Sequence, residues 1–157
     1  MIKLIIFDID GVLTDGMVLV DESGREQKRI CLNDIDAVNR FRREGFLIAA
    51  VTGEATPMAE YFSKKIAWDS FTSGCKDKLT RVKGLAEEYH LERGEIAYIG
   101  DGIYDVPALE FAGWPASPAN AIREAREASK IRLIRCGGGG CVAELFDEIM
   151  KINGKEQ

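Results

Sequence analysis

Apolar residues occur along this chain in short tight groups, separated by polar stretches in which apolar positions recur at helical spacing. Leu4-Ile5-Ile6-Phe7 is too short for a typical helix, is rich in β-branched residues and runs into Gly11, which predicts a strand buried on both faces. Phe46 to Val51 and Ile96 to Ile99 repeat that pattern, and shorter strands are expected at 70–72, 114–116 and 131–134. Helices are expected from Asn33 or Asp34, either of which can serve as cap, to Glu44, where Gly45 follows, and over 57–66 with Pro57 in the first turn. Others are expected over 78–89, from Pro107, over 120–129 and over 142–152. Loose alternation around the turn Asp21-Glu22-Ser23-Gly24 predicts a β-hairpin flap over 17–31. The whole reads as one α/β domain over 1–152, a doubly wound parallel sheet covered on both faces, with 153–157 as a frayed tail. Gly137 to Gly140 is either a tight backbone approach beside a ligand or partner, or a plain loop.

Composition narrows the function. A chain of 157 residues has room for one core, and a hydrophobic fraction of 46% suits a globular protein. The net charge of −5, with no basic block, argues against a nucleic-acid surface. No apolar run approaches a membrane span and no signal-peptide pattern precedes the first strand, so the expected location is the cytoplasm. Cys31, Cys75, Cys136 and Cys141 form no CxxC pair, and with His90 as the single histidine they make neither a zinc motif nor a disulfide framework. His90 reads as a solvated residue near a helix end.

Ligands of open α/β sheets bind outside the carboxyl ends of the strands, and there the reactive residues of this chain collect. The first strand delivers Asp8 and Asp10, which the period of two puts on one side. The second ends in Thr52 and Gly53, and the third leads into Asp101 and Asp105, while Lys78 opens a helix. Close carboxylates repel unless a divalent cation neutralises them or one keeps its proton, and both conditions suit phosphoryl chemistry. Thr52 and nearby backbone N–H groups suit phosphate oxygens, Lys78 supplies a positive charge, and Asp101 is a hard oxygen ligand for Mg²⁺.

In order, these residues resemble the four motifs of the haloacid dehalogenase superfamily of phosphotransferases, over nearly the whole chain. The first motif, DxDGxxxD, stands here as DIDGVLTD, and the fourth as GDGIYD. The resemblance implies that Asp8 is a nucleophile forming an aspartyl phosphate, and that Asp10 protonates the leaving alkoxide and then activates water. It also implies phosphate binding by Asp8, Thr52, Gly53 and Lys78, an Mg²⁺ site from Asp8, Asp10 and Asp101, and a supporting role for Asp105. A response-regulator receiver combines similar residues, but its phosphoacceptor ends the third strand rather than the first.

The gaps between motifs hold no cap domain. That feature, the flap, the YIGD and CKDKL segments and the ending GGGGCVAELFDEIM resemble the 3-deoxy-D-manno-octulosonate 8-phosphate phosphatase family, which implies sugar-acid phosphate substrates and a homotetramer in which a neighbouring subunit covers each site. The chain departs from that family's pattern at Gly102, where a second carboxylate is usual, in the DGxG helix start, which stands here as Asp34-Ile35-Asp36-Ala37, and at Phe62 and Ala143, where arginines are usual. Glu54 replaces a further arginine. With Lys65 it resembles the branch acting on 2-keto-3-deoxynononate 9-phosphate, which makes these two the expected substrate-specificity residues. A catalytically silent scaffold of the same fold is the alternative from another class.

Overall fold

The computed structural model describes residues 1–155. In chain order its elements are β1 (Leu4–Phe7), β2 (Leu19–Val20), β3 (Glu26–Gln27), α1 (Leu32–Arg43), β4 (Leu47–Val51), α2 (Pro57–Lys65), β5 (Ser70–Thr72), α3 (Lys78–Glu88), β6 (Ile96–Ile99), α4 (Val106–Phe111), β7 (Trp114–Ser117), α5 (Arg123–Glu127), β8 (Ile131–Arg132) and α6 (Cys141–Ile152). Six strands form one parallel sheet in the order β5-β4-β1-β6-β7-β8. The doubly wound α/β fold expected from the sequence is therefore present, with β1 at its centre between β4 and β6.

The period of two along β1 divides the core. Ile5 and Phe7 join the cluster that includes Val38, Phe41, Phe62, Leu145 and Phe146, whereas Leu4 and Ile6 join the one that includes Val82, Leu85, Leu109 and Ala125. All four β1 side chains are fully buried, so β1 reads as an unbroken apolar run rather than an alternating one. Phe41 meets Phe7, Phe46 and Phe146 edge-on at centroid distances of 6.0, 5.4 and 5.0 Å, an aromatic network that locks α1 to α6 and to β1.

Two local expectations require correction. Neither Asn33 nor Asp34 caps α1, whose N-cap is Cys31 without a side-chain bond; both lie inside the helix. The fully buried Asp34 caps α6 instead, accepting from the backbone N–H groups of Gly140, Val142 and Ala143 at 3.0, 2.9 and 3.2 Å. The reason is tertiary: packing of α1 on α6 brings this carboxylate to a helix start that carries only glycine before it. The tail is likewise not frayed at Asn153, whose amide both donates to and accepts from the backbone of Ile2. Residues 156–157 of that expected tail lie outside the described residues.

The glycine run packs on the first-motif loop. Gly138 donates to the Val12 carbonyl, Gly137 donates to the side chain of Asn120, and a Cβ on Gly137 would fall 1.8 Å from the Gly11 carbonyl oxygen. Backbone thus approaches backbone here, and the close approach is to the chain's own first-motif loop. The flap is a two-stranded antiparallel hairpin, β2 with β3, whose turn is held by the Asp21 carboxylate and by Gly24 at a φ of 79°. Met17 and Leu19 on it are 72% and 69% exposed, so the hairpin projects without a core of its own. No helix of the described residues is long and apolar enough to cross a membrane.

The Asp34 cap yields a stability prediction. Asp34→Ala leaves three N–H groups at the start of α6 without their acceptor and is expected to lower the unfolding free energy by about 2–3 kcal/mol, with Asp34→Asn losing less. Urea denaturation followed by circular dichroism measures both.

Candidate active site

β1 ends at Phe7, and the next eight residues form the loop on which the site is built. Gly11 lies in this loop at a φ of 82°, and a Cβ there would fall 1.9 Å from Asp101 Oδ2, so only glycine lets the loop reach the β6 end. Asp8, Asp10, Thr52, Gly53, Glu54, Lys78, Asp101 and Asp105 all border one cavity of about 270 Å³ outside the carboxyl ends of β1, β4 and β6. Lys65 does not. It is the last residue of α2, exposed, and roughly 12 Å along the helix from Pro57 at the end that follows Glu54, at 1.5 Å rise per residue.

The centre is a buried charge cluster. Asp8 is 5% exposed; its Oδ1 accepts from its neighbour's N–H, Ile9, at 2.8 Å and from Lys78 Nζ at 2.9 Å. Lys78 also donates to Asp105 Oδ1 at 2.7 Å, and that oxygen takes the Tyr98 hydroxyl at 2.6 Å. Asp105 Oδ2 accepts from the backbone N–H groups of Asp101 and Gly102 at 3.0 and 2.9 Å. With four donors Asp105 is saturated, so it orients Lys78 and the Asp101 turn and has little left for a cation.

Oxygens of Asp8, Asp101 and Asp105 lie within 4.8 Å of one another. Burial, and then the Asp105 charge, push the Asp8 carboxyl well above the usual range and raise that of Asp101 to about 6. Three carboxylates and one ammonium sum to −2, which a small divalent cation balances, and since Asp105 is saturated the cation-facing groups are Asp8 and Asp101. The donor set is oxygen only and suits Mg²⁺. Lys78 stays charged despite burial, its acidity held down by Asp8 and Asp105.

Asp10 sits apart from this triad, although the period of two was expected to pair it with Asp8. β1 stops before it, and the turn sends its carboxylate to the Thr14 hydroxyl at 3.1 Å on Oδ1 and to Lys28 Nζ at 2.9 Å on Oδ2. The close acidic partners of Asp8 are Asp101 and Asp105 instead. With two donors on its four acceptor positions, the Asp10 carboxylate borders the same cavity but stands outside the close acidic triad.

Thr52, 1% exposed, ends β4 and its hydroxyl accepts from the Glu54 N–H at 3.3 Å, while Gly53 brings bare backbone to the cavity. Sequence reading passed over Thr14, Lys28, Lys76 and Tyr98. Tyr98 looked like one more core residue of β6; its hydroxyl, in a strand otherwise of Ile and Ala, was the available signal. Lys76 borders the cavity and adds a second cation beside Gly53, and Lys28 arrives from the flap across eighteen residues of sequence, with no local signal.

No family model matches the chain. It is 28% identical over 158 residues to the 3-deoxy-D-manno-octulosonate 8-phosphate phosphatase KdsC of Escherichia coli strain K12, covering 98% of this chain and 82% of that protein. It is also 29% identical over 160 residues to N-acylneuraminate cytidylyltransferase A of Danio rerio, of which it spans only 36%. Among solved structures it resembles the 3-deoxy-D-manno-octulosonate 8-phosphate phosphatase of Moraxella catarrhalis, crystallised with magnesium, phosphate and KDO, at 31% identity and a TM-score of 0.90 over 98% of this chain and 89% of that one. Likeness of this extent in both sequence and backbone, in a chain whose four motifs converge on one cavity, places the chain in the haloacid dehalogenase superfamily, within its 3-deoxy-D-manno-octulosonate 8-phosphate phosphatase-like family.

Proposed function

We propose that this protein is an Mg²⁺-dependent phosphomonoesterase that hydrolyses a sugar-acid phosphate through an aspartyl phosphate on Asp8. The observation that carries this reading is the state of the Asp8 carboxylate. Its Oδ1 is fixed by Ile9 N–H and Lys78, which leaves Oδ2 as the oxygen available for attack. Asp8 forms a bond to phosphorus as the ester P–O bond breaks, and Asp10 gives its proton to the leaving oxygen. A water molecule then attacks the aspartyl phosphate, returning its proton to Asp10 and releasing phosphate and free Asp8. Lys78, with the Thr52-Gly53 backbone and Lys76, meets the charge on the phosphoryl oxygens. Asp8 and Asp101 would hold the Mg²⁺, which when bound would supply positive charge to offset the carboxylates and the phosphate dianion.

The sugar end of the substrate is assigned to Glu54 and Lys65. Glu54 borders the cavity and can accept from substrate hydroxyls. Lys65, at the far end of α2, reaches a substrate carboxylate only in a neighbouring copy, so this assignment goes with the homotetramer in which one subunit covers the site of the next. A nine-carbon substrate of the 2-keto-3-deoxynononate 9-phosphate type is a second reading, favoured by Glu54 at the cavity wall and by the likeness to part of a protein named for N-acylneuraminate, itself a nine-carbon acid.

Four outcomes test this. Asp8→Asn is nearly isosteric but a poor nucleophile, and should lose at least ~10³-fold in kcat with an unchanged circular dichroism spectrum; retained Mg²⁺-dependent phosphate release sinks the mechanism. Because the folded chain holds the Asp101 proton up to about 6 against an ordinary 3.8, metal-free stability falls as pH rises between those values. Mg²⁺ must displace that proton, so it should raise Tm above pH ~7 and do so progressively less below pH ~6, and Asp101→Asn should remove the response. Finally, Glu54→Ala and Lys65→Ala should each lower kcat/KM for the best sugar-acid phosphate at least ~10-fold more than for p-nitrophenyl phosphate. An active species with the 17.4 kDa mass of one chain, by light scattering, contradicts the Lys65 assignment.

A further inference from the structure

The return limb of the flap lies along the first-motif loop and is tied to it at three consecutive residues. Lys28 binds Asp10, Arg29 pairs with Asp15 at 2.9 Å, and Ile30 bridges to the backbone of Thr14. The three ties differ in kind. Arg29 is 88% exposed at its side chain, so its ion pair is worth little, and Ile30 engages through main chain. The Lys28 side chain is 8% exposed, and it is the one that ends on a carboxylate at the cavity. Its stem also borders a groove of about 600 Å³ between the flap and the start of α2, lined with Thr56, Met58 and Tyr61. Lys28 therefore stands between the phosphoryl cavity and the space beside it.

From this geometry we infer that Lys28 is a positioning residue for Asp10, holding the carboxyl plane of the acid/base toward the leaving group, which passes Lys28 into the groove. A carboxyl at the end of a single Cα–Cβ bond has broad freedom about its last torsion. Here Thr14 clamps one oxygen and Lys28 the other, from opposite sides and from different segments, which removes that freedom. Proton transfer is steep in geometry, and a donor fixed in a near-attack position reacts far faster than one that rotates. Thr14, its hydroxyl oriented by the N–H groups of Gly11 and Gly16, fixes Oδ1 only, and Oδ2 is held by Lys28. The flap thereby contributes to the chemistry of its own subunit, whatever its apolar tip covers.

The inference rests on the phosphatase reading and on Asp10 as its acid, and a pair of esters separates the two. Phenyl phosphate and p-nitrophenyl phosphate have nearly the same shape, but the phenoxide leaving group needs a proton far more than p-nitrophenoxide does. Comparing kcat/KM confines the readout to steps up to ester cleavage. Lys28→Met should lower kcat/KM about 30-fold for phenyl phosphate and about 3-fold for p-nitrophenyl phosphate, and Lys28→Arg should recover phenyl phosphate to within about 5-fold of wild type. Thermal melts of both variants check the fold, and Lys28→Gln, which keeps a donor without the charge, replaces Lys28→Met if that chain does not fold. An equal loss on the two esters, or no loss on either, overturns the positioning role while the phosphatase reading stands. A wild-type enzyme that releases phosphate from neither ester nor from a panel of sugar-acid phosphates overturns both.

Discussion

Lys78 is the interaction on which the site depends. Its ammonium bridges Asp8 and Asp105 at 2.9 and 2.7 Å in a region where all three side chains are nearly inaccessible to water. Two carboxylates about 5 Å apart repel by roughly 3–4 kcal/mol at an effective dielectric near 20, so a buried triad of acids would unfold or protonate without a cation among them. One lysine offsets part of this. What remains is a net charge of −2, and the high proton affinities of Asp8 and Asp101 are the measure of that remainder. A divalent metal and a proton compete for the same deficit, which links catalysis, metal binding and stability through a few oxygens.

The rest of the fold can be understood as the means of holding that cluster. The central strand carries no alternation because both of its faces are buried, and burial on both faces makes its end a rigid platform. The platform carries a loop that closes only because Gly11 can approach Asp101 and because Gly137 can approach Gly11 in turn. Asp105 folds back over four donors to orient Lys78, so a residue with no expected contact to substrate sets the position of the cation that the proposed mechanism assigns to the phosphate. Rigid positioning of this kind is what electrostatic catalysis requires, since donors that need not reorganise contribute most.

The two halves of the site are built differently. The phosphoryl half comes from sheet and helix starts, is buried, and is closed around its charges. The half that the proposal assigns to the leaving group comes from the flap and the first turn of α2, is open, and has the exposed apolar residues of the flap beside it. A chemistry common to many esters needs the first to be invariant in geometry, and choice among esters needs the second to be variable.

The sequence by itself determined the sheet and the list of motif residues. Continuous apolar runs of four to six residues ending in Asp, Thr or Gly mark buried strands and their carboxyl ends, and those signals are local, so they survive without knowledge of the fold. The α/β alternation, the flap and the convergence of Asp8, Thr52, Lys78 and Asp101 followed from it. Partnership was decided only by tertiary structure. Asp34 reads as a cap of its own helix and caps another; Asp10 reads as the partner of Asp8 and is taken by Thr14 and Lys28; Tyr98 reads as core and holds Asp105. In each case the backbone period gave the side of the element correctly or not at all, while the atom at the end of the side chain answered to groups as much as 109 residues away. Hydrophobic patterning is written in neighbours along the chain, whereas a buried charge must find its counter-charge in space, and only packing says which one is within reach.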